Sequence, residues 1–147
     1  MIWRFVTIGK PALDYAKAGA EEYRRRLSRY TQVEFLQGKE RGPQENGRQL
    51  LKLSESASLR IVLDERGRDV STAILVQRIN AWEQDGAVKS VALLLGGADG
   101  HSDEVRATAA ETWRLSALTL QHELALVVLL EALYRAYTIK RGEPYHR

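Results

Sequence analysis

Apolar positions along this chain recur with two spacings, about two and about 3.6 residues, and the switches between them mark the elements. I-W-R-F-V-T-I at residues 2–8 is β-branched and aromatic and stops at Gly9-Lys10-Pro11, which predicts a strand and a turn. Leu13, Ala16, Ala20, Tyr23, Leu27 and Tyr30 then recur at helical spacing, opposite Glu21, Glu22, Arg24, Arg25 and Arg26. Residues 33–36 predict a short second strand. Residues 38–47, G-K-E-R-G-P-Q-E-N-G, hold no apolar residue and read as a mobile loop, with a helix expected at 49–57. L-R-I-V-L-D at 59–64 predicts a strand closing at Glu65-Arg66-Gly67-Arg68. Ser71 is placed to cap a helix running to Trp82 or Gln84, with Ala73, Leu75, Val76, Ile79 and Trp82 inward.

The second half follows the same logic. Residues 88–95 form an apolar strand that stops at Gly96-Gly97-Ala98-Asp99-Gly100, and a helix is expected from Ser102 to Thr112. Residues 113–120, W-R-L-S-A-L-T-L, fit a short strand and a loop. A helix over 123–139 has a wide apolar face of Leu124, Val127, Val128, Leu130, Leu133, Tyr134 and Tyr137. Such a helix is either central to the core or half of a subunit interface. Strands alternating with helices predict an α/β fold: a mostly parallel sheet covered on both faces, as one domain over residues 1–147.

Composition narrows the chemistry. The chain has no cysteine, which excludes disulfides, thiolate metal sites and a cysteine nucleophile. No stretch resembles a secretion signal or is long enough to span a bilayer, so a cytoplasmic protein with no membrane partner is expected. A net charge of +3 permits a polyanionic partner without requiring one.

The glycine turn at 96–100 ends a strand before a helix, the usual place for a ligand in an α/β protein. Its spacing, G-G-x-x-G, is neither a dinucleotide fingerprint nor a P-loop. Asp99 would repel a phosphate placed there, whereas a positive sulfonium would meet no such repulsion. From these residues alone, a tight turn and a ligand site stand level. His101, His122 and His146 have neither partners at metal-ligand spacing nor a nucleophile elbow, so no metal is expected. Glu131 pairs most simply with Arg135 one helical turn on. Arg24–Arg26 with Arg29, and Lys39 with Arg41, are either solvated surface or a phosphate track with Tyr and Trp nearby for stacking.

Four segments in order, L-L-G-G-A-D-G-H, L-S-A-L-T-L-Q-H, V-V-L-L-E-A-L-Y-R-A and a terminal P-Y-H-R, resemble the ribosomal RNA large subunit methyltransferase H family of SPOUT-class enzymes. The N-terminal I-G-K-P and the central I-V-L-D-E-R-G extend the resemblance over essentially the whole chain. It implies a fold with a C-terminal deep trefoil knot and a homodimer. It also implies transfer of a methyl group from S-adenosylmethionine to N3 of a pseudouridine in a large-subunit rRNA stem-loop on the assembled ribosome. An inactive RNA- or ribosome-binding module of the same fold, or a methyltransferase for another RNA, are the competing readings.

Carried over by position, the resemblance places cofactor contacts on Leu63, Gly96 and Gly97, and on Leu115, Ser116, Ala117, Leu118, Thr119 and Leu120. It places Tyr145, His146 and Arg147 at the reaction, contributed by the partner subunit. His146 is the candidate base, Arg147 an anion contact and Tyr145 a positioning or stacking residue. One departure stands out: the family has proline where this chain has Gln121, and its loss is expected to loosen the exit of the loop at 115–120.

Overall fold

The computed structural model describes residues 1–97 and 99–147. In chain order the elements are β1 (Ile2–Ile8), α1 (Asp14–Leu27), β2 (Gln32–Gly38), α2 (Pro43–Leu53), β3 (Leu59–Asp69), α3 (Thr72–Gln84), β4 (Ser90–Leu95), α4 (Asp103–Ala107), β5 (Glu111–Arg114) and α5 (His122–Lys140). The five strands form one sheet in the order β2-β1-β4-β3-β5, and every neighbouring pair is parallel. The expected covered parallel sheet is what the chain forms.

β4 shows why. All six of its residues are buried, as a central strand covered on both faces requires. Leu93 points, with Trp3, Phe5 and Ile61, into a large core closed by Leu27 of α1, Leu75 and Ile79 of α3, and Leu130, Leu133 and Tyr137 of α5. Ala92 and Leu94 turn the other way, with Val6, Ile8 and Val62, into a smaller core closed by Leu50 of α2 and Val105 of α4. The one polar atom that Trp3 buries is satisfied, its Nε1 donating to Tyr137 Oη at 2.8 Å.

α1 and α5 lie side by side with the same polarity. Glu123 at the start of α5 accepts from the backbone N–H of Ala12 at 2.7 Å and Leu13 at 3.2 Å. Midway, a Cβ on Gly19 would stand 3.1 Å from Val127 Cγ1. Near the far end, the rings of Tyr30 and Tyr137 stack at 5.8 Å. Both helices therefore begin at the carboxyl edge of the sheet and end at its opposite edge.

Several boundaries differ from those the sequence predicts, and three of the differences have a visible cause. The loop expected over 38–47 ends at Gly42, and α2 begins at Pro43 rather than near Gln49. Proline suits the first helical turn, and Gly47 is a packing glycine: a Cβ there would meet Ser102 Oγ at 2.7 Å. β3 runs to Asp69, past the expected close at Asp64, through a register shift between Leu63 and Arg68. Gly67 lies on the neighbouring backbone there, since a Cβ would come within 2.7 Å of the Thr112 carbonyl carbon. The helix expected to reach Thr112 stops at Ala107, because the edge of β3 needs a partner and β5 supplies it.

Candidate functional site

Leu63 of β3 sits in register with Leu95 of β4 on one side and Trp113 of β5 on the other. β4 and β5 thus reach their carboxyl ends, and β3 its bulge, on one row. From that row three segments leave the sheet together, the bulge at 64–67, the glycine turn after Leu95 and the loop after Arg114. They enclose a cavity of about 590 Å³, within the range of sites for small ligands. Pockets at the carboxyl ends of parallel strands are where α/β sheets hold ligands.

The predicted cofactor residues converge on this cavity. Leu63, Gly96, Gly97, Leu115, Ser116, Leu118, Thr119 and Leu120 line it, while Ala117 is exposed and does not. At Gly96 any side chain would crowd the wall, for a Cβ would be 3.0 Å from the backbone of Gly100 and 3.3 Å from His101 Nε2. Gly97 and Gly100 close the turn with a bond from Gly100 N–H to Gly97 O at 3.0 Å, and Gly100 has φ of 75°. Ala98, named in the same turn, lies outside the described residues. Opposite, the backbone groups of residues 116–120 make no main-chain hydrogen bond among the described residues. The Leu118 N–H donates to Ser116 Oγ at 2.9 Å, and the others are left to a ligand or to water. Leu118, 76% exposed, stands at the mouth.

Several cavity residues carried no signal strong enough to single them out. Asp64, Arg66, His101, Arg106 and Arg114 all line the wall. Asp64 and Arg66 follow Leu63 directly, and His101 follows the glycine turn, so adjacency to those motifs was the available cue. Asp64 accepts from Arg66 N–H at 2.8 Å and faces Arg106 Nη1 at 3.6 Å. Arg106 also donates to the carbonyl of His101 at 2.5 Å. The His101 ring is buried, with Nε2 3.1 Å from Leu94 O and Nδ1 without a hydrogen-bond partner among the described residues. Burial lowers its basicity from the ordinary 6.5; Asp64 and the carbonyls of Leu63 and Leu94 oppose that drop, and Arg106 adds to it. Among the described residues no cluster of His, Asp and Glu is placed to hold a metal ion. Among the described residues no helix is long and apolar enough to cross a membrane.

Tyr145, His146 and Arg147 do not join the cavity of their own chain. The tail folds back on the second half of α5. Tyr145 Oη donates to Glu131 at 3.1 Å, its ring meets Tyr134 edge to face at 4.8 Å, and the Arg135 guanidinium lies 4.8 Å over it. Burial pushes the Tyr145 hydroxyl above its ordinary range, and its hydrogen bonds to Tyr23 and Glu131 push it further. Arg135 bonds Glu131 at 2.8 Å, the pairing expected from their spacing, and also reaches His146 Nδ1 at 3.2 Å. His122 borders the cavity. Arg135 is thirteen residues along the same helix, roughly 20 Å away. Glu131, which holds Tyr145, lies midway along α5, six residues or roughly 9 Å beyond Ala125 at the cavity wall, and none of the three tail residues lines the cavity.

Residues 1–146 match the family model described as "Predicted SPOUT methyltransferase". The chain is 46% identical over 144 residues to a Thermus thermophilus protein named "Ribosomal RNA large subunit methyltransferase H", covering 98% of this chain and 97% of the relative. A Deinococcus deserti protein of the same name is 44% identical over 142 residues, covering 97% of each. Among solved structures, a probable methylase family protein from Haemophilus influenzae superposes with a TM-score of 0.65 at 12% identity, covering 99% of this chain and 70% of that one. A probable methyltransferase from Bordetella pertussis gives 0.63 at 12% identity, covering 91% and 93%. At that identity the likeness is one of fold.

Proposed function

The chain belongs to the SPOUT methyltransferase family, and on that premise we propose that it methylates N3 of a pseudouridine in large-subunit rRNA, drawing the methyl group from S-adenosylmethionine. The observation that carries this reading is the single cavity into which Leu63, Gly96 and the loop at 115–120 converge. The names of the relatives supply the RNA class.

The cavity suits that cofactor on its own chemistry. It has backbone groups at 116–120 without main-chain partners among the described residues for an adenine edge, leucines to enclose the ring, and a glycine wall open to close approach. Asp64, Glu65 and Asp99 border it and are balanced by Arg66, Arg106 and Arg114, a wall with no net charge to repel a sulfonium. When bound, S-adenosylmethionine supplies an electrophilic methyl group on a positive sulfonium. The protein's part is to hold the target base in line with that methyl and to exclude water.

N3 of the base carries a proton that must leave. His146 is the proposed acceptor. Arg135 donates to its Nδ1, which puts the hydrogen of the neutral ring on Nε2, so Nδ1 is the nitrogen that takes the proton once Arg135 lets go of it. Arg147 stabilises the anion that forms, and Tyr145 positions the base. Because none of the tail residues lines the cavity of its own chain, the tail acts on the cavity of a second copy in a homodimer. The first half of α5, where Leu124, Val127 and Val128 are only half-buried, and Tyr15 on α1, 59% exposed, give that copy an apolar face to cover. The knot that the family resemblance implies belongs to the same reading of the C-terminal half.

The test combines calorimetry with labelled methyl transfer to intact ribosomes that lack the modification. Micromolar cofactor binding and a 3-methylpseudouridine found by nucleoside mass spectrometry are expected. Absence of cofactor binding would leave only an RNA-binding module. Transfer to free rRNA but not to ribosomes would mean a different target.

A further inference from the structure

Of the basic residues singled out in the sequence, Arg24, Arg25 and Arg26 are engaged. Arg25 and Arg26 pair with Glu22 at 2.6 and 2.9 Å, and Arg24 lies 3.8 Å from Glu21 and over the Phe35 ring. Arg29 is not. It follows the end of α1, is exposed, and makes no ion pair among the described residues. Arg141, the C-cap of α5 and 112 residues away in sequence, is likewise exposed and without an ion pair. The fold brings the two together: their guanidinium carbons lie 5.8 and 5.7 Å from the centre of the same ring, Tyr30.

That ring is fixed. It stacks on Tyr137 with the planes 8° apart, and its hydroxyl donates to Glu143 at 2.5 Å. Glu143 is the nearby carboxylate, and it is bound by Tyr30 rather than by either arginine. Each arginine also follows a helix carboxyl end, which favours a cation there. Two guanidinium groups held near one platform, neither making a side-chain hydrogen bond or ion pair among the described residues, match a phosphodiester by charge and by fork geometry.

We propose that Arg29 and Arg141, gathered on Tyr30, form a clamp for the phosphate backbone of the RNA substrate, at the end of α1 and α5 remote from the cavity of the same chain. The proposal rests on the reading of the protein as an RNA methyltransferase. It adds a docking point that touches no reacting atom, so its loss acts on RNA affinity and not on the transfer step.

The experiment measures binding of a fluorescein-labelled large-subunit rRNA stem-loop to the full chain by anisotropy, across a salt series. It compares the wild type with the Arg29→Gln/Arg141→Gln and Arg29→Lys/Arg141→Lys pairs. The Gln pair is expected to bind about tenfold more weakly and to lower the slope of log affinity against log salt by about 1.4 to 1.8, the loss of two phosphate contacts. The Lys pair should keep most of the slope and so guards against a folding artefact. Cofactor affinity by calorimetry should stay at the wild-type value, and in turnover KM for RNA should rise with kcat unchanged. An unchanged RNA affinity and slope in the Gln pair would overturn the proposal. So would an equal loss of binding to a polyglutamate peptide, which would identify an acidic protein surface as the partner. Failure of the enzyme reading shows instead in cofactor binding and methyl transfer, with the RNA-binding comparison still standing.

Discussion

His101 joins the ends of two cavity walls through one ring. Its Nε2 must carry the hydrogen to bond Leu94 O at 3.1 Å, which leaves Nδ1 as a buried lone pair with no donor among the described residues. The neutral form is therefore the one the fold holds, and burial sets its basicity below the ordinary 6.5. The sign follows from proton counting. Between the folded and unfolded values the unfolded chain binds more protons, so this contribution to stability is complete above the ordinary value and lost as pH falls below it. Thermal denaturation should show the wild type losing more Tm than His101→Asn between pH of about 7.5 and about 5.5. Parallel losses in both proteins would refute the assignment.

Gln121 shows what an element can do with an unusual residue. The sequence predicts a looser loop exit where proline is missing, yet Gln121 sits at φ −60°, where proline itself would sit. Its side-chain oxygen accepts from the N–H of Glu123 at 2.8 Å and of Leu124 at 3.0 Å, capping α5. The loop is tied by a cap in place of a ring. Gln121→Ala should cost about 1 kcal/mol, or roughly 2–4 °C in Tm. Gln121→Pro should fall between the two, because backbone restriction offsets part of the lost cap. A Gln121→Ala protein with wild-type Tm and cofactor affinity would show that the cap contributes nothing.

The same elements explain what the sequence made legible. β1 and β4 were readable because a strand buried on both faces is nearly all apolar, and α5 because its wide apolar face persists over nineteen residues. α2 and β5 were not. Gly47 looks like a loop residue until Ser102 is seen against it, and residues 111–114 become a strand only because β3 offers them an edge. Both depend on contacts between segments far apart in sequence. The cavity was legible as three separate segments through the family resemblance. The register that aligns Leu63, Leu95 and Trp113, and the trio Asp64, His101 and Arg106, needed the fold.

At the scale of the whole molecule, the distance between cavity and tail decides how many chains make one site. α5 starts at the cavity, and Glu131 and Arg135 farther along it anchor Tyr145 and His146, so in a single copy the proposed base stands outside the lining of the proposed cofactor site. A tail that works only on a partner's cavity makes a prediction that no cis arrangement shares. A chain lacking residues 145–147 and a chain with a blocked cavity, Gly96→Val, should each be inactive alone. Mixed in equal amounts, unfolded and refolded together, they should recover about a quarter of wild-type turnover, because half the twofold dimers are mixed and each mixed dimer holds one complete site. The truncated chain should keep its cofactor affinity and the Gly96→Val chain should lose it, which calorimetry on each homodimer checks. No recovery on mixing, with dimers confirmed by sedimentation, would remove the tail from the reaction. Activity of the truncated chain alone would remove His146 as the base.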